Sequence, residues 1–172
     1  MRLIRARRED FDLIYAEMEK SFVKEERRDK EDALEALKND KYSVYLAQKN
    51  GMNVGFVTVW ELSGFAFIEH LATCEAHRNK GYGSEVLSLL KKKYSDLVLE
   101  AEPPIESIQK RRIAFYERNG FVRNPQKYIQ PAYRAGGQGV ELVLMSCPKM
   151  LDNFENTVRE IYYNVYDNGG KT

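Results

Sequence analysis

Cysteine is scarce here: Cys74 and Cys147 are the two among 172 residues. A chain of this length can bury a sufficient core without covalent staples. That argues against a secreted disulfide scaffold and for two free thiols in a reducing cytosol. No apolar run approaches the ~20 residues that cross a bilayer. The arginine-rich stretch from Met1 to Asp10 lacks the apolar segment of a secretory signal, so a cytoplasmic protein without membrane partners is expected. Neither sign of charge prevails, with 27 Lys and Arg against 26 Asp and Glu. Nucleic-acid binders usually carry a strong basic surplus, so that partner is set aside. Several catalytic signatures are missing as well. His70 and His77 stand close together with no ligand cluster of zinc spacing, and no metal site is expected. The Gly-x-Ser-x-Gly elbow of a serine hydrolase is absent, as is the Gly-x4-Gly-Lys-Ser/Thr of a Walker loop. With no internal repeat, low-complexity tract or linker, residues 1–172 read as a single domain.

What is present is a chain of alternating periodicities. A short strand, Leu3 to Ala6, precedes a helix whose Phe11, Ile14, Tyr15, Met18 and Phe22 recur at steps of three and four, with Asp10 placed as its N-cap. A second helix spans about Asp29 to Lys38. The period then becomes two: Tyr42, Val44 and Leu46 precede Asn50-Gly51, and Val54, Phe56, Thr58 and Trp60 follow. Asn-Gly between alternating segments marks a hairpin, because both residues tolerate positive φ. Ser63-Gly64 turns the chain again into a strand from Phe65 to Thr73. A helix from Ser84 to about Tyr94 and a strand at Leu97-Val98-Leu99 complete a strand–helix–strand unit, so these two strands should be parallel. A helix from about Ser107 to Asn119 stops at Gly120. Strands at about Lys127 to Ala132 and Val140 to Cys147 flank a glycine-rich loop. Leu151, Phe154, Val158, Ile161 and Val165 form one apolar stripe of a terminal helix, expected to pack on its own domain, with a dimer seam as the alternative.

The turn Arg78-Asn79-Lys80-Gly81-Tyr82-Gly83 carries the chemistry. It joins a strand end to a helix start, where unpaired N–H groups and a partial positive charge stabilise an anion. Gly81 and Gly83 lack a Cβ and leave room for phosphate oxygens, while Arg78 and Lys80 add cationic donors. A diphosphate site is expected; the plainer alternative is a glycine-rich connection with solvated cations. A dinucleotide fold would want a third glycine where Val86 stands, although Glu100 and Glu102 lie at a distance suited to a ribose. The upstream hairpins do not suit that fold's doubly wound sheet.

Two patterns together resemble a known family. Leu71-Ala72-Thr73 followed by Arg78-x-x-Gly81-x-Gly83 resembles the acetyl-CoA motif of the GCN5-related N-acetyltransferases (GNAT), and Phe115-Tyr116-x-x-x-Gly120-Phe121 resembles that family's second hallmark. The order of elements matches over residues 2–147, leaving 148–166 as an additional C-terminal helix. The resemblance implies a mixed α/β (α+β) domain. Its twisted sheet would be mostly antiparallel with one splayed parallel strand pair, flanked by helices. It implies a cytoplasmic enzyme that transfers acetyl from acetyl-CoA to a primary amine by direct attack through a tetrahedral intermediate, with coenzyme A as product. Cys74-Glu75 departs from the family's usual Asp-Pro, and Gln109 occupies a position where an asparagine often contacts the cofactor.

Residue by residue, the resemblance assigns the pantetheine arm to the backbone of Leu71, Ala72 and Thr73. The diphosphate falls to Arg78, Asn79, Lys80, Gly81, Tyr82, Gly83 and Ser84, with Gln109 as a further contact. Tyr116 becomes the acid that protonates the leaving thiolate. Glu69 becomes the base, acting through water with a pKa raised by partial burial; Glu100 and Glu102 are alternatives that could equally steer a cationic acceptor. His70 reads as a structural strand residue, Cys74 as a small hydrophobe, and Lys91-Lys92-Lys93 as a solvated helix face that could also touch phosphate. The acceptor, a small-molecule or peptide amine, would meet the Phe22 to Arg28 connection, the hairpin around Tyr133 to Gly139, and the tail with Tyr162, Tyr163 and Tyr166. Monomer and homodimer both remain open. Two other functions stay in view: a catalytically inactive acyl-CoA-binding module, and a dinucleotide-dependent oxidoreductase.

Overall fold

The computed structural model describes residues 1–167, so the last five positions of the expected 1–172 domain lie outside the described residues. Among the described residues the strands are β1 (Arg2–Arg5), β2 (Tyr42–Lys49), β3 (Met52–Leu62), β4 (Phe65–Thr73), β5 (Leu97–Ala101), β6 (Val122–Arg123), β7 (Tyr128–Gln130) and β8 (Val140–Cys147). The helices are α1 (Phe11–Ser21), α2 (Lys30–Ala36), α3 (Tyr82–Lys93), α4 (Ser107–Arg118) and α5 (Phe154–Ile161), the last running on into a π-helical turn, Tyr162–Asp167. The sheet order is β1-β2-β3-β4-β5-β8-β6, with β7 also paired to β8. Every pairing is antiparallel except β4 with β5. The mostly antiparallel sheet with one parallel pair is the expected architecture.

Local chemistry accounts for most of these elements. Asn50 and Gly51 take φ of 52° and 79° at the β2–β3 turn, as the hairpin reading requires. The expected strand from Lys127 to Ala132 is shorter, Tyr128–Gln130, because Pro131 has no N–H to give the ladder. Ahead of it, at the end of the β6–β8 pairing, the buried Asn124 donates its side-chain amide to the Leu144 carbonyl and to Ser146 Oγ. Asp10 does not cap α1. Its carboxylate accepts from the Arg7 N–H at 2.8 Å and closes the short 3-10 turn ahead of the helix.

Apolar residues fill both faces of the sheet. Helices α1, α2 and α5 lie over one face, meeting Phe56, Trp60, Phe67 and Val98. Helices α3 and α4 cover the other, meeting Val57, Val59, Ile68 and Leu99. Alternation along β5 therefore sends Leu97, Leu99 and Ala101 to the α3/α4 side and leaves Glu100 on the side of Val98. The terminal stripe packs on the parent domain, as expected: Phe154, Ile161 and Val165 are buried in the first cluster. The switch to i→i+5 bonding keeps Tyr162, Asn164, Val165 and Tyr166 directed inward, while Tyr163 is 62% exposed.

Two irregularities in β4 shape everything that follows. Pairing with β3 runs Thr58↔His70 and then Val59↔Ile68, so Glu69 is a bulged residue without a β3 partner. Pairing with β5 covers Ala66↔Leu97, Phe67↔Val98 and Ile68↔Leu99 and goes no further. Beyond Ile68 the two parallel strands splay, and Leu71, Ala72 and Thr73 keep β3 on one side while their other edge faces the gap.

Candidate active site

The gap between the splayed strands opens into a cleft of about 400 Å3. Leu71, Ala72, Thr73 and Arg78 line it from β4 and the following turn, Glu100 from β5, and Tyr116 from α4. The turn expected to hold the diphosphate adjoins it through Arg78. α3 begins at Tyr82, earlier than the expected Ser84, which brings Tyr82, Gly83 and Ser84 into the first helical turn, where N–H groups lack intrahelical partners. Gly81 has φ of 78°, a left-handed conformation that favours glycine. Nothing lies within 4 Å of where its Cβ would stand, so the space above the turn is open. Arg78, Asn79 and Lys80 are exposed around that space. An open helix start, flanking cations and a free strand edge together fit an extended cofactor with a diphosphate. Gly83 has a second reason to be glycine: a Cβ there would meet Phe115 Cζ at 3.1 Å.

Tyr116 is brought to this cleft as expected. Ile108, Arg112 and Tyr116 lie four residues apart on one face of α4 and all line it. Burial raises the Tyr116 phenol above its ordinary pKa, so it stays protonated at neutral pH. Gln109 turns to another task. Its Oε1 accepts from the Glu106 N–H at 2.8 Å, capping its own helix, and its amide reaches Glu102 at 3.4 Å. Lys91 donates to the Asn119 carbonyl at 2.8 Å, tying α3 to the end of α4.

Glu69 differs most from expectation. Its side chain is 0% exposed, so the residue reaches the cleft wall with its main chain alone. Oε1 takes the Arg28 guanidinium at 3.1 Å and the Tyr133 hydroxyl at 3.0 Å, and Oε2 takes Trp60 Nε1 at 3.0 Å. Burial alone would raise its pKa, but Arg28, with the Trp60 and Tyr133 donors, reverses the sign and holds the carboxyl below its usual range. The expected raised pKa is thereby corrected. Arg28 is itself stacked against Trp60 and Tyr133 and donates to the Val165 carbonyl.

Glu100 has the opposite environment. The Tyr128 hydroxyl donates to it, and the Tyr166 hydroxyl reaches its two oxygens at 3.0 and 2.8 Å. Burial dominates those donors, and with the Glu69 charge nearby the carboxyl is pushed up to about 7. Its neighbour Glu102 pairs instead with Arg112.

The three segments expected to border the acceptor do converge here. Arg28 comes from the α1–α2 connection, Tyr133 from the hairpin loop, and Val165 and Tyr166 from the tail. Arg134 fastens the loop to the connection through both Asp29 oxygens, at 2.9 and 2.6 Å, and through the Lys24 carbonyl at 2.6 Å. His70 is the structural residue it was read as. Buried and neutral, with burial lowering its pKa, it bridges Thr58 Oγ1 and the Glu26 carbonyl. Tyr162 donates to the Ile129 carbonyl rather than facing the acceptor side. The sequence reading missed Arg28 and Arg112. For Arg28 no short-range pattern existed, since its carboxylate partner lies 41 positions away. Arg112 was legible as one turn before Tyr116.

Comparison with known proteins agrees with this geometry. Residues 40–123 match the family model of the acetyltransferase (GNAT) domain. A GNAT-family structure from Bacteroides thetaiotaomicron, bearing an acetyltransferase name, is 30% identical. It superposes with a TM-score of 0.91 over 99% of this chain and 100% of its own. YjbC of Bacillus subtilis (strain 168), also named as an acetyltransferase, is 28% identical over 109 residues, which are 62% of this chain and 55% of that protein's length. An aminoglycoside 6'-N-acetyltransferase solved with coenzyme A shares the fold, with a TM-score of 0.63 at 14% identity over 89% of this chain and 100% of its own. The chain belongs to the GCN5-related N-acetyltransferase family, a family of acyltransferases. No described helix is long and apolar enough to cross a membrane.

Proposed function

We propose that this protein transfers an acetyl group from acetyl-CoA to a primary amine carried by a small molecule or a peptide. One arrangement carries the reading: a free strand edge at Leu71–Thr73, Arg78 of the turn that leads into α3, and Tyr116 line a single cleft. The main chain of Leu71, Ala72 and Thr73 would hold the pantetheine arm. The turn from Arg78 through Asn79, Lys80, Gly81, Tyr82 and Gly83 to Ser84 would hold the diphosphate. Bound there, acetyl-CoA supplies the activated thioester. Tyr116 keeps a proton on its Oη, available to the departing sulfur, and the cleft walls orient the amine and limit water. Glu69 serves as the fixed partner of Arg28, which frames the acceptor side.

The test is calorimetric titration of acetyl-CoA into wild type and a Gly81→Trp/Gly83→Trp variant, followed by thiol-release assays on a panel of amines. Micromolar binding that the variant loses, with turnover on at least one amine, supports the proposal, and Tyr116→Phe should then lower kcat about 10²- to 10⁴-fold. Tight binding with no turnover on any amine would favour the acyl-CoA-binding module. Absence of binding by folded, cofactor-free wild type would sink the reading. Competition by NADH at the same site would revive the dinucleotide one.

A further inference from the structure

We infer that Glu100 is the group that takes the proton from the acceptor amine, and that Tyr166, supplied by the C-terminal π-helical turn, is its positioning residue. The inference rests on the acetyl-transfer reading above.

Their partners separate the two carboxylates of the cleft wall. Glu69 has a fully enclosed side chain and both oxygens committed to Arg28, Tyr133 and Trp60. A base must come within hydrogen-bond reach of the proton it abstracts, and no acceptor can approach Glu69 without displacing those partners. Glu100 lines the same cleft as Tyr116 and is held by hydroxyls rather than by a cation. Hydroxyl partners fix its orientation yet leave the carboxylate free to accept a proton, because a hydroxyl can rotate to accept from the protonated form.

The surroundings also set the two carboxylates apart in acidity. The titratable groups facing Glu100 are Tyr128 from β7, Tyr162 and Tyr166 from the tail, Tyr133 from the hairpin loop, and Glu69 from β4. They are neutral phenols and one anion. The charge of Arg28 is engaged by Glu69, which remains ionised while Glu100 titrates near neutrality. Two carboxyls pushed in opposite directions mark separate roles: one a fixed charge, the other a proton carrier poised near the working pH. The proton leaves the acceptor nitrogen, rests on a Glu100 oxygen, and passes to solvent through the open cleft before the next cycle.

The tail is what makes this arrangement. The Tyr166 hydroxyl lies within 3.0 Å of both Glu100 oxygens, and Gln130 Nε2 donates to that hydroxyl from β7 at 3.1 Å. One turn of π-helix places Tyr166 there while the Val165 carbonyl accepts from Arg28. The C-terminal addition thus touches both carboxylate systems at once.

The experiment pairs a binding-independent readout with kinetics. In unliganded protein labelled at the glutamate carboxyl carbon, the Glu100 resonance, assigned by its loss in Glu100→Gln, should titrate near pH 7. In Tyr166→Phe it should titrate about one unit higher, since a donor to the ionised form has been removed. With the best amine, kcat/KM of wild type should rise through the same pH. Tyr166→Phe should move that limb upward, losing about tenfold at pH 6.5 and little at pH 9. Glu100→Gln should lose about 10²- to 10⁴-fold with acetyl-CoA affinity unchanged. A Glu100 carboxyl that titrates below pH 5, or a folded Glu100→Gln with full turnover and an unmoved pH limb, would overturn the assignment. Failure of acetyl transfer itself would appear as no turnover in wild type with the carboxyl still titrating near 7. The transferase reading would then fall, and with it the proton-transfer role, while the tail's hold on Glu100 would stand.

Discussion

The ring of Phe115 stops 3.1 Å from the point where a Cβ on Gly83 would stand. The two hallmark patterns of the sequence are therefore one physical contact: the start of α3 is held against α4 by an aromatic ring that accepts no side chain beneath it. Thr73 Oγ1, on the strand edge, is 3.9 Å from the same point. A bulkier residue at position 83 would push Phe115 away and tilt the N–H groups that face the cleft.

Gly83→Val should accordingly cost about 1–3 kcal/mol by overpacking and weaken acetyl-CoA binding at least tenfold. Adding Phe115→Ala to Gly83→Val should return part of the stability, giving a non-additive cycle. Thermal melts and calorimetry on the two single variants and the double variant check this; strict additivity would mean the contact does not couple the motifs.

How much of this was legible in the sequence depends on the range of the interaction. The Asn50-Gly51 hairpin, the βαβ unit and the glycine turn ahead of α3 are set by neighbours within a few residues, and local spacing carried them. The placement of Tyr116 followed from its position on α4. Long-range electrostatics did not show. Nothing around Glu69 announces that Arg28 and Tyr133 will enclose it, so its acidity was read with the wrong sign. The bulge that leaves Glu69 unpaired depends on β3–β4 register, which no single-strand pattern encodes. The capping role of Gln109 was not foreseen, because a helix N3 position competes for its side chain. The π-helical turn at the tail lies within a stripe that looks like ordinary α-helix, yet it brings in Tyr166.

Glu100 should make stability depend on pH in a direction opposite to most carboxylates. Its folded pKa, about 7, lies above the unbonded value of 4.5. The folded state therefore binds the proton more tightly, and the associated stability is complete below about pH 4.5 and lost as pH rises to about 7. The shift corresponds to about 3 kcal/mol. Glu100→Gln, which carries no charge to bury, should melt higher than wild type at pH 8 and close to wild type at pH 5. Equal melting differences at both pH values would show that the Glu100 carboxyl is not held in the uncharged form.

Arg134 gives a prediction about the acceptor side. Its fork to Asp29 and its bond to the Lys24 carbonyl fasten the hairpin loop to the α1–α2 connection. Arg134→Ala should leave acetyl-CoA affinity and the fold intact while raising KM for the amine several-fold. Hydrogen exchange should speed up in residues 131–139 and 24–29. If KM is unmoved while exchange rises, the loop does not border the acceptor.

The pair of Arg28 and Glu69 predicts the opposite pattern. Arg28 is 5% exposed and the Glu69 side chain is enclosed, so neutralising Glu69 takes from a buried guanidinium the carboxylate it donates to. Glu69→Gln should cost about 3–5 kcal/mol at neutral pH, the usual result of breaking a buried pair. Because the Glu69 pKa is lowered on folding, its stabilisation is present above the unfolded value of 4.5 and is lost as pH falls through the lower folded value. Wild type should therefore lose this contribution as pH falls below the ordinary carboxylate value, and Glu69→Gln should lack that acid-dependent step. Denaturant unfolding of the two proteins between pH 2.5 and 8 measures both effects. A Glu69→Gln variant as stable as wild type at pH 7 would mean that Arg28 finds an equal partner elsewhere, and Glu69 would again be available as a base.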